Sequence, residues 1–269
     1  KITPLTSDDG PYGLILAPTR ELAMQIEEEA KQLAKFTGIR ILSVVGGAGM
    51  ETQGSLIRKG VEIVIATPGR AQDMIERQQL VLNQCNFVVL DEADRMVGLG
   101  FDDQIQTILS TMGFSNEKAT PIGDRLLYRK TYMFSATMPR KIEALARNYM
   151  RMPVMVQVGD PGAISQDIHQ SVTFLADHDD DVEEVRTKKL GEVLKEHFRK
   201  DSRQVMVFVN RKDDADLLLK QVGKWHRRGN SGLGSNIRAE TLHSGKTQGA
   251  RRSVIEAFRA KRFQILIAT

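Results

Sequence analysis

The sequence predicts an α/β fold in which two tandem domains each contain a parallel β-sheet covered by helices on both faces. Three observations lead to this prediction: a length of 269 residues, an alternation of apolar strands with longer helical segments, and a turn-rich acidic stretch past the middle. A chain of this length is long enough for two domains. Near-continuous apolar strands that alternate with helices are typical of parallel sheets buried on both faces.

The strands are predicted from short runs rich in β-branched residues, and the helices from the amphipathic segments between them. The strand candidates of the first half are Gly13–Ala17, Ile41–Val45, Glu62–Ala66, Phe87–Leu90, Thr131–Ser135 and Val154–Val158. Those of the second half are Gln170–Phe174, Gln204–Val209, Ile237–Leu242 and Gln264–Ala268. The helix candidates are Arg20–Phe36, Met50–Arg58, Ala71–Arg77, Phe101–Met112, Arg140–Met150, Lys188–Phe198, Asp213–His226 and Ala250–Ala260. Ligands of such folds bind beyond the carboxyl ends of the strands, so the residues that follow each strand are the functional candidates.

The domain boundary is predicted between residues 159 and 167, where two glycines, a proline and an aspartate follow one another. We therefore expect a first domain at residues 1–158, an acidic linker at 159–169 and a second domain at 170–269. Two loops are also predicted, at Ser115–Arg125 and Gly229–Ser235.

Charge is distributed unevenly along the chain. Residues 1–158 contain 18 basic and 18 acidic side chains, and residues 159–181 contain six aspartates and no lysine or arginine. Residues 182–269 contain 20 basic and 10 acidic side chains, a net charge of +10. A basic segment favours a polyanionic partner. Solvated helix faces carry a similar excess, so charge alone leaves both interpretations open.

Composition excludes some classes of protein. No run of 18 apolar residues occurs, so the sequence predicts no membrane-spanning helix. The single cysteine, Cys85, excludes a disulfide within the chain and a zinc site made of several cysteines. Its neighbours predict a buried strand, so we interpret Cys85 as a core thiol, which fits a reducing compartment.

A pair of carboxylates follows one of the most apolar strands. Phe87–Leu90 places Asp91 and Glu92 at its carboxyl end. Two carboxylates there suit Mg²⁺ held through water, with one binding the metal's water shell and the other orienting an attacking water. The alternative is a simple helix N-terminus, where acidic residues are favoured in any case.

Small hydroxyl side chains follow the next predicted strand. Ser135 and Thr137 can hydrogen-bond Asp94 and so connect this strand end with the carboxylate site. Alternatively, the Ser-Ala-Thr triplet caps the helix that opens at Pro139.

Short motifs recur at strand ends along nearly the whole chain. In the first half they are Pro18-Thr19-Arg20-Glu21-Leu22-Ala23, Gly46-Gly47, Thr67-Pro68-Gly69-Arg70, Asp91-Glu92-Ala93-Asp94 and Ser135-Ala136-Thr137. In the second half they are Val207-Phe208-Val209-Asn210, Leu242-His243-Ser244-Gly245, and Gln248 with Arg251. In this order they resemble the motifs of the DEAD-box RNA helicases of superfamily 2.

The resemblance implies two RecA-like domains and an ATP-dependent RNA helicase that remodels short RNA duplexes or RNA–protein complexes, with ATP and Mg²⁺ as cofactors. Asp91 and Glu92 are then catalytic, with Asp91 binding the metal through water. Asp94, Ser135 and Thr137 couple the strand ends. The residues implied in RNA binding are Pro18, Thr19, Arg20, Gly46, Gly47, Thr67, Gly69, Arg70, Asn210, Arg211, His243, Gly245, Gln248, Arg251 and Thr269.

The implied RNA contacts are to the backbone and are independent of base sequence. Helix N-terminal amides can bind phosphates, and Arg20 or Arg70 can add a charge-assisted contact. The alternative for Gly46, Gly47 and Gly69 is a purely conformational role in tight turns. Arg20 and Glu21 can likewise be a capping pair of their own helix.

Two elements of the family pattern do not occur in the chain. The phosphate-binding loop, A-x-T-G-x-G-K-T, is expected before Lys1, and an arginine-rich element is expected after Thr269. The first domain is therefore expected to lack its P-loop strand, and the second to be truncated at its C-terminal end. We expect this stretch by itself neither to bind ATP tightly nor to hydrolyse it.

Within the family, the resemblance is greatest to the spliceosomal members that act at the 5′ splice site. It rests on segments such as 8–12, 25–29, 62–66 and 113–118. It implies spliceosomal ribonucleoprotein components as partners and a nuclear location. One alternative is a cytoplasmic or nucleolar DEAD-box protein of translation or ribosome assembly. Another is a non-catalytic, ATP-gated RNA clamp.

Overall fold

A computed structural model describes residue 5 and residues 9–122, 125–159, 168–175, 182–200, 203–227 and 237–269. The chain divides into two compact units, Lys1–Gln166 and Asp167–Thr269. Most of the predicted linker and the predicted loop Gly229–Ser235 lie outside the described residues.

Unit 1 contains a five-stranded parallel sheet with the strand order β2-β3-β1-β4-β7. Its strands, with a separate hairpin β5–β6, are β1 (Gly13–Leu16), β2 (Ile41–Val44), β3 (Ile63–Ala66), β4 (Phe87–Leu90), β5 (Thr120–Ile122), β6 (Arg125–Leu127) and β7 (Lys130–Met133). Its helices are α1 (Arg20–Leu33), α2 (Met50–Arg58), α3 (Pro68–Glu76), α4 (Ala93–Gly98), α5 (Asp102–Ser110) and α6 (Arg140–Tyr149).

The core of unit 1 lies mainly on one face of this sheet. Leu14, Val64 and Val88 are fully buried there and belong to one cluster with Met74 of α3 and Ile108 of α5. On the other face, α1 packs on β2 and β3 around a second buried cluster. Alternating side chains of buried strands point to opposite faces, so two separate clusters are expected. The predicted parallel α/β fold is confirmed.

Unit 2 contains a three-stranded parallel sheet with the order β8-β10-β9. Its elements are α7 (Val182–Lys200), β8 (Val205–Phe208), α8 (Lys212–Arg227), β9 (Ala239–Leu242), α9 (Gln248–Arg259) and β10 (Ile265–Ala268). All four residues of β10 are buried, as expected for a central strand. Trp225 of α8 packs on Gly191 of α7, where the missing side chain lets the two helices approach closely.

Two predicted strands are wrong. Val154–Val158 and the described residues of Gln170–Phe174 have no strand structure. The apolar side chains in the first segment are largely exposed, with Val154 at 82%, Val156 at 81% and Val158 at 95%. β-Propensity expresses how well a residue fits a paired, half-buried surface, and no described strand pairs with either segment.

The predicted loop Ser115–Arg125 is wrong in part, because it contains strands of a short hairpin. Thr120 pairs with Leu127, and Pro121 pairs with Leu126. Pro121 and Gly123 indicate a loop by composition, but a proline is tolerated in an edge strand.

Cys85 is fully buried, as predicted, and burial raises the pKa of its thiol to about 12. A thiol with such a pKa stays protonated and unreactive at neutral pH. Among the helices of the described residues, none is long and apolar enough to cross a bilayer.

Candidate functional site

The predicted site residues of unit 1 lie along one edge of its sheet. The parallel register aligns the carboxyl ends of all five strands at this edge. Across the edge, the segments that follow the strands come in the order Gly46–Gly47, Thr67–Arg70, Pro18–Arg20, Asp91–Asp94 and Ser135–Thr137. The residues predicted to bind RNA therefore occupy three neighbouring strand ends. The carboxylates and hydroxyls occupy the other two.

Asp91 and Glu92 stand at the junction of β4 and α4. The Asp91 amide donates to Leu16 O at 3.0 Å, which fixes this turn against β1. The Glu92 amide donates to Asp91 Oδ1 at 3.0 Å. The Glu92 carboxylate makes no cap hydrogen bond to α4 and contacts Arg95 at 3.3 Å on the surface. This geometry argues against a purely capping role, because the first amides of α4 donate to other acceptors, such as Phe134 O and Ser135 Oγ.

The backbone of Glu92 is in the left-handed region, with φ 48° and ψ 52°. For a residue with a β-carbon, this conformation costs about 1 kcal/mol or more relative to the right-handed one. Such conformations persist where the surrounding structure fixes them, and they cluster at functional sites. Here the turn is fixed on both sides, because Ala93 N donates to Phe134 O at 3.0 Å and Asp91 N to Leu16 O.

The donor set at this turn fits Mg²⁺ held together with phosphates. In the described part of the chain, no group of three or more potential ligand side chains comes together. A site that offers one or two carboxylates suits an ion that keeps several waters and shares its ligands with a phosphate group. The adjacent Asp91 and Glu92 supply carboxylates of that kind.

Asp94 connects β4 with the end of β7. Its Oδ2 accepts from Thr137 Oγ1 at 2.6 Å and from Thr137 N at 3.2 Å. The Asp94 amide donates to Ser135 Oγ at 3.3 Å, and Ser135 Oγ donates to Thr137 O at 2.7 Å. The hydrogen bond from the Thr137 hydroxyl is the main cause that lowers the pKa of Asp94. These are the contacts that the sequence predicted, and their coupling role remains a prediction.

We expect Thr137→Val to reduce the dependence of stability on acid pH. The folded-state pKa of Asp94 lies below its unfolded value of about 3.9. Its contribution is therefore present above about pH 4 and is lost as the pH falls through the folded-state pKa. Urea unfolding of the wild type and Thr137→Val, compared between about pH 5 and about pH 2, measures the difference. Thr52→Val, an exposed change on α2, is the matched control. Parallel profiles for wild type and Thr137→Val would contradict the expectation.

Arg20 lies against the two glycines that follow β2. A β-carbon on Gly46 would lie 2.8 Å from Arg20 Nη2, and one on Gly47 would lie 2.7 Å from Arg20 Nη1. Gly47 also has a φ of +85°, a conformation that glycine adopts without strain. The glycines therefore provide both the turn and the space that the guanidinium of Arg20 occupies.

Arg70 contacts the same loop from the β3 side. Its Nη2 donates to Ala48 O at 2.8 Å, and its Nε donates to Gln53 Oε1 at 3.1 Å. Gln53 is buried, and its Nε2 donates to Val45 O at 3.1 Å. The sequence analysis did not select Gln53. A glutamine on the buried side of an amphipathic helix was the only signal that could have indicated it.

The remaining predicted residues of this edge fall into two groups. Thr19 is the N-cap of α1, with its side chain accepting from Leu22 N at 3.3 Å, and Pro18 is buried beside it. Thr67 makes no side-chain cap bond at the start of α3, and a β-carbon on Gly69 would meet no atom within 4 Å. The start of α3 therefore has no side-chain cap from Thr67, and the space beside Gly69 is open.

Unit 2 shows the same arrangement at the carboxyl edge of its own sheet. Asn210 and Arg211 follow β8 and are exposed, Thr269 follows the central β10, and His243 and Gly245 follow β9. The Thr269 amide donates to Leu242 O at 3.3 Å, which holds the ends of β10 and β9 together.

His243 is buried, in contrast to Ser244 and Gly245, which follow it and are exposed. Its Nε2 lies 3.2 Å from Asp216 Oδ1, which also accepts from Thr241 Oγ1 at 3.5 Å. Asp216 on α8 was not selected by the sequence analysis, because an acidic residue on an exposed helix face gives no signal. His243 has 7% of its surface exposed, and its role in RNA binding stays a prediction.

Gln248 and Arg251 occupy the first turn of α9. Arg251 Nη1 donates to Gln248 Oε1 at 3.3 Å, so the pair predicted from the sequence is in contact. Thr247 caps the same helix by accepting from Ala250 N at 3.3 Å.

Two family models match the chain. The DEAD/DEAH box helicase model matches residues 2–145, which is more than half of the chain. The helicase conserved C-terminal domain model matches residues 187–269.

Curated relatives match almost the full length of the chain. DEAD-box ATP-dependent RNA helicase 21 of Oryza sativa subsp. japonica is 43% identical over 265 residues, 97% of this chain and 33% of the rice protein. Pre-mRNA-splicing ATP-dependent RNA helicase prp28 of Aspergillus oryzae is 40% identical over 275 residues, 97% of this chain and 32% of that protein. ATP-dependent RNA helicase ddx23 of Dictyostelium discoideum is 37% identical over 277 residues, 100% of this chain and 31% of that protein. The chain thus spans about a third of the length of these relatives.

Among solved structures, the crystal structure of the yeast DEAD-box splicing factor Prp28 is similar to this chain. The match has a TM-score of 0.54 and 33% sequence identity, and it covers 100% of this chain and 56% of that chain. This likeness agrees with the parallel α/β fold of the two units.

Proposed function

Because the chain belongs to the DEAD/DEAH box helicase family, we propose that it forms core domains of an ATP-dependent RNA helicase of pre-mRNA splicing. In this proposal residues 1–158 and 170–269 are the two RecA-like domains, joined by the linker at 159–169. The observation that carries the proposal is the row of motif residues along the carboxyl edge of the sheet in unit 1. Motifs that are distant in sequence come together there, in an order that separates acidic from phosphate-binding residues.

The acidic half of this edge supports ATP hydrolysis. Glu92 is free of helix capping and can orient a water for attack on the terminal phosphate, as a carboxylate base does in phosphoryl transfer. Asp91 can hold the water shell of Mg²⁺. Bound ATP and Mg²⁺ supply the phosphoanhydride and the charge that neutralises its oxygens. Asp94, through Thr137 and Ser135, connects this turn with the end of β7.

The other half of the edge supports binding of the RNA backbone. Arg20 and Arg70 contact the loop that follows β2, and the start of α3 has no side-chain cap and open space beside Gly69. Guanidinium groups and helix N-terminal amides bind phosphates without reading bases. We therefore propose binding that is independent of RNA sequence, with Asn210, Arg211, His243, Gly245, Gln248, Arg251 and Thr269 as the residues of unit 2 that take part.

The names of the relatives support a role in splicing. The Aspergillus oryzae relative is named for pre-mRNA splicing, and the similar yeast structure is that of a splicing factor. We propose spliceosomal ribonucleoprotein components as partners and a nuclear location. A role in translation or ribosome assembly has no support in these names. A non-catalytic clamp is disfavoured by the intact carboxylates of Asp91 and Glu92.

Arginine substitutions in the full-length protein test the proposed RNA surface. We expect Arg20→Ala and Arg70→Ala each to weaken binding of a labelled single-stranded RNA for all base sequences alike. Each should also reduce the slope of log affinity against log salt by roughly 0.7, the value for one phosphate contact on a single strand. Fluorescence anisotropy at several salt concentrations measures both quantities.

Arg77→Ala is the matched control, because Arg77 is exposed at the C-terminal end of the helix that begins beside Arg70. It should leave the salt slope unchanged. Equal slopes for the wild type and both Arg20→Ala and Arg70→Ala would contradict the proposed RNA surface.

A further inference from the structure

Gln53 is a buried polar side chain that joins two segments of the proposed RNA surface. It has 6% of its surface exposed and lies on the buried side of the amphipathic helix α2, with Gly54 and Ile57. Its amide nitrogen donates to Val45 O, and its amide oxygen accepts from Arg70 Nε at 3.1 Å. Both polar atoms are therefore used, one on each segment.

We infer that Gln53 is a positioning residue that orients the guanidinium of Arg70 toward an RNA phosphate. This inference rests on the proposed function, because it assumes that Arg70 binds RNA. Gln53 touches no RNA in this scheme and acts only through Arg70.

The contacts of Arg70 show why orientation matters. Nε is held by Gln53 Oε1, and Nη2 is held by Ala48 O at 2.8 Å. Two contacts on different nitrogens fix the plane of the guanidinium as well as its position. In the part of the chain that the structure describes, Nη1 has no hydrogen-bond partner. Nη1 is thus the nitrogen left to donate to a phosphate oxygen.

Fixing this side chain in advance has a physical benefit. A free arginine loses rotamer freedom when it binds a ligand, and that loss weakens binding. An arginine already held at two nitrogens loses less. Gln53 also holds the carbonyl of Val45, the residue directly before Gly46, so the loop that carries Ala48 is fixed by the same side chain.

A double-mutant cycle separates a positioning role from a general structural role. Gln53→Met keeps the approximate size of the side chain and removes both hydrogen bonds. In the full-length protein, we expect Gln53→Met to lower the affinity for a labelled oligouridylate RNA by up to about 10-fold, the effect of ordering one long side chain only when RNA binds. In the background of Arg70→Ala, the same change should lower affinity less than about 2-fold, because its target is gone.

Arg70→Lys provides a second measurement that does not depend on how Gln53→Met folds. Lysine keeps the charge, but it has no planar group that could donate to Gln53 Oε1 and Ala48 O from two separate nitrogens. The inference predicts an affinity for Arg70→Lys close to that of Arg70→Ala. Affinity close to wild type for Arg70→Lys would overturn it, since charge alone would then suffice.

Gln72 provides the control, because it lies on the same helix as Arg70 but does not contact Arg70. Gln72→Met changes an exposed-side glutamine on the same helix as Arg70, where its amide contacts Glu76 at 2.7 Å, and should leave RNA affinity unchanged. Equal loss of affinity for Gln53→Met with and without Arg70 would overturn the inference while the proposed function stands. Failure of the wild type itself to bind RNA would instead overturn the proposed function.

Discussion

Glu92→Gln is expected to reduce RNA-stimulated ATP hydrolysis in the full-length protein by a factor of about 10² to 10⁴, the usual contribution of a positioned base. Glutamine has the shape of glutamate but cannot accept a proton from the attacking water. Because the Glu92 side chain caps no helix, the substitution leaves the turn between β4 and α4 in place. RNA affinity should therefore stay close to that of the wild type. Phosphate release at saturating RNA, together with anisotropy for RNA binding, measures the two effects separately.

Glu51→Gln is the matched control for this change. Glu51 is an exposed glutamate in the first turn of α2, away from the carboxylates that follow β4. The Glu51→Gln variant should hydrolyse ATP at the wild-type rate. Equal rates for the wild type and Glu92→Gln would show that Glu92 is not the catalytic carboxylate. The function of a non-catalytic, ATP-gated RNA clamp would then be favoured over that of a helicase.

Gly113→Ala is expected to destabilise unit 1 by about 3 kcal/mol or more, the range of severe overpacking. A β-carbon at this position would lie 2.1 Å from the carbonyl oxygen of Asn83, which is backbone and cannot rotate away. The Gly113 amide also donates to Leu82 O at 3.3 Å. The turn after α5 is therefore pressed against the segment before β4 and has no room to move. Urea unfolding followed by circular dichroism measures the loss of stability.

Gly98→Ala is the control for this substitution. Gly98 ends α4, and a β-carbon there would meet no atom within 4 Å. Alanine has the higher helix propensity, so stability should rise by up to about 1 kcal/mol.

The single tryptophan of the sequence, Trp225, belongs to unit 2, so its fluorescence should report the unfolding of unit 2 separately. An unchanged midpoint for Gly113→Ala would contradict the close packing of this turn.

Much of the fold followed from local patterns in the sequence. The predicted bounds of Phe87–Leu90 and Met50–Arg58 agree with β4 and α2, because each segment is bounded by clear turn signals. The helix predicted at Lys188–Phe198 begins earlier, at Val182, since helix ends depend on packing that a periodic pattern does not show. The strand predicted at Val154–Val158 was wrong for a different reason. Its residues fit a strand, but strand formation requires a neighbour, and that is a property of the whole fold.

For the candidate site, the sequence predicted which residues share an edge of the sheet but not how they are arranged along it. Parallel strands align their carboxyl ends, so the shared edge of the motifs could be inferred from the strand assignments alone. The sequence could not show the order of the motifs across that edge, since strand order depends on tertiary structure. The sequence analysis selected neither Gln53 nor Asp216, because each acts through a neighbour that lies 17 or 27 positions away along the chain.

The left-handed backbone of Glu92 has a consequence for how this protein can evolve. Glycine or asparagine would adopt that conformation with less strain, so either substitution could make the folded state more stable by about 1 kcal/mol. Both would remove the carboxylate on which hydrolysis is proposed to depend. A selection for thermal stability alone would therefore favour inactive variants at this position. Under the proposed catalytic role, activity and stability oppose each other at residue 92, and selection for the reaction retains a glutamate there despite the strain in its backbone.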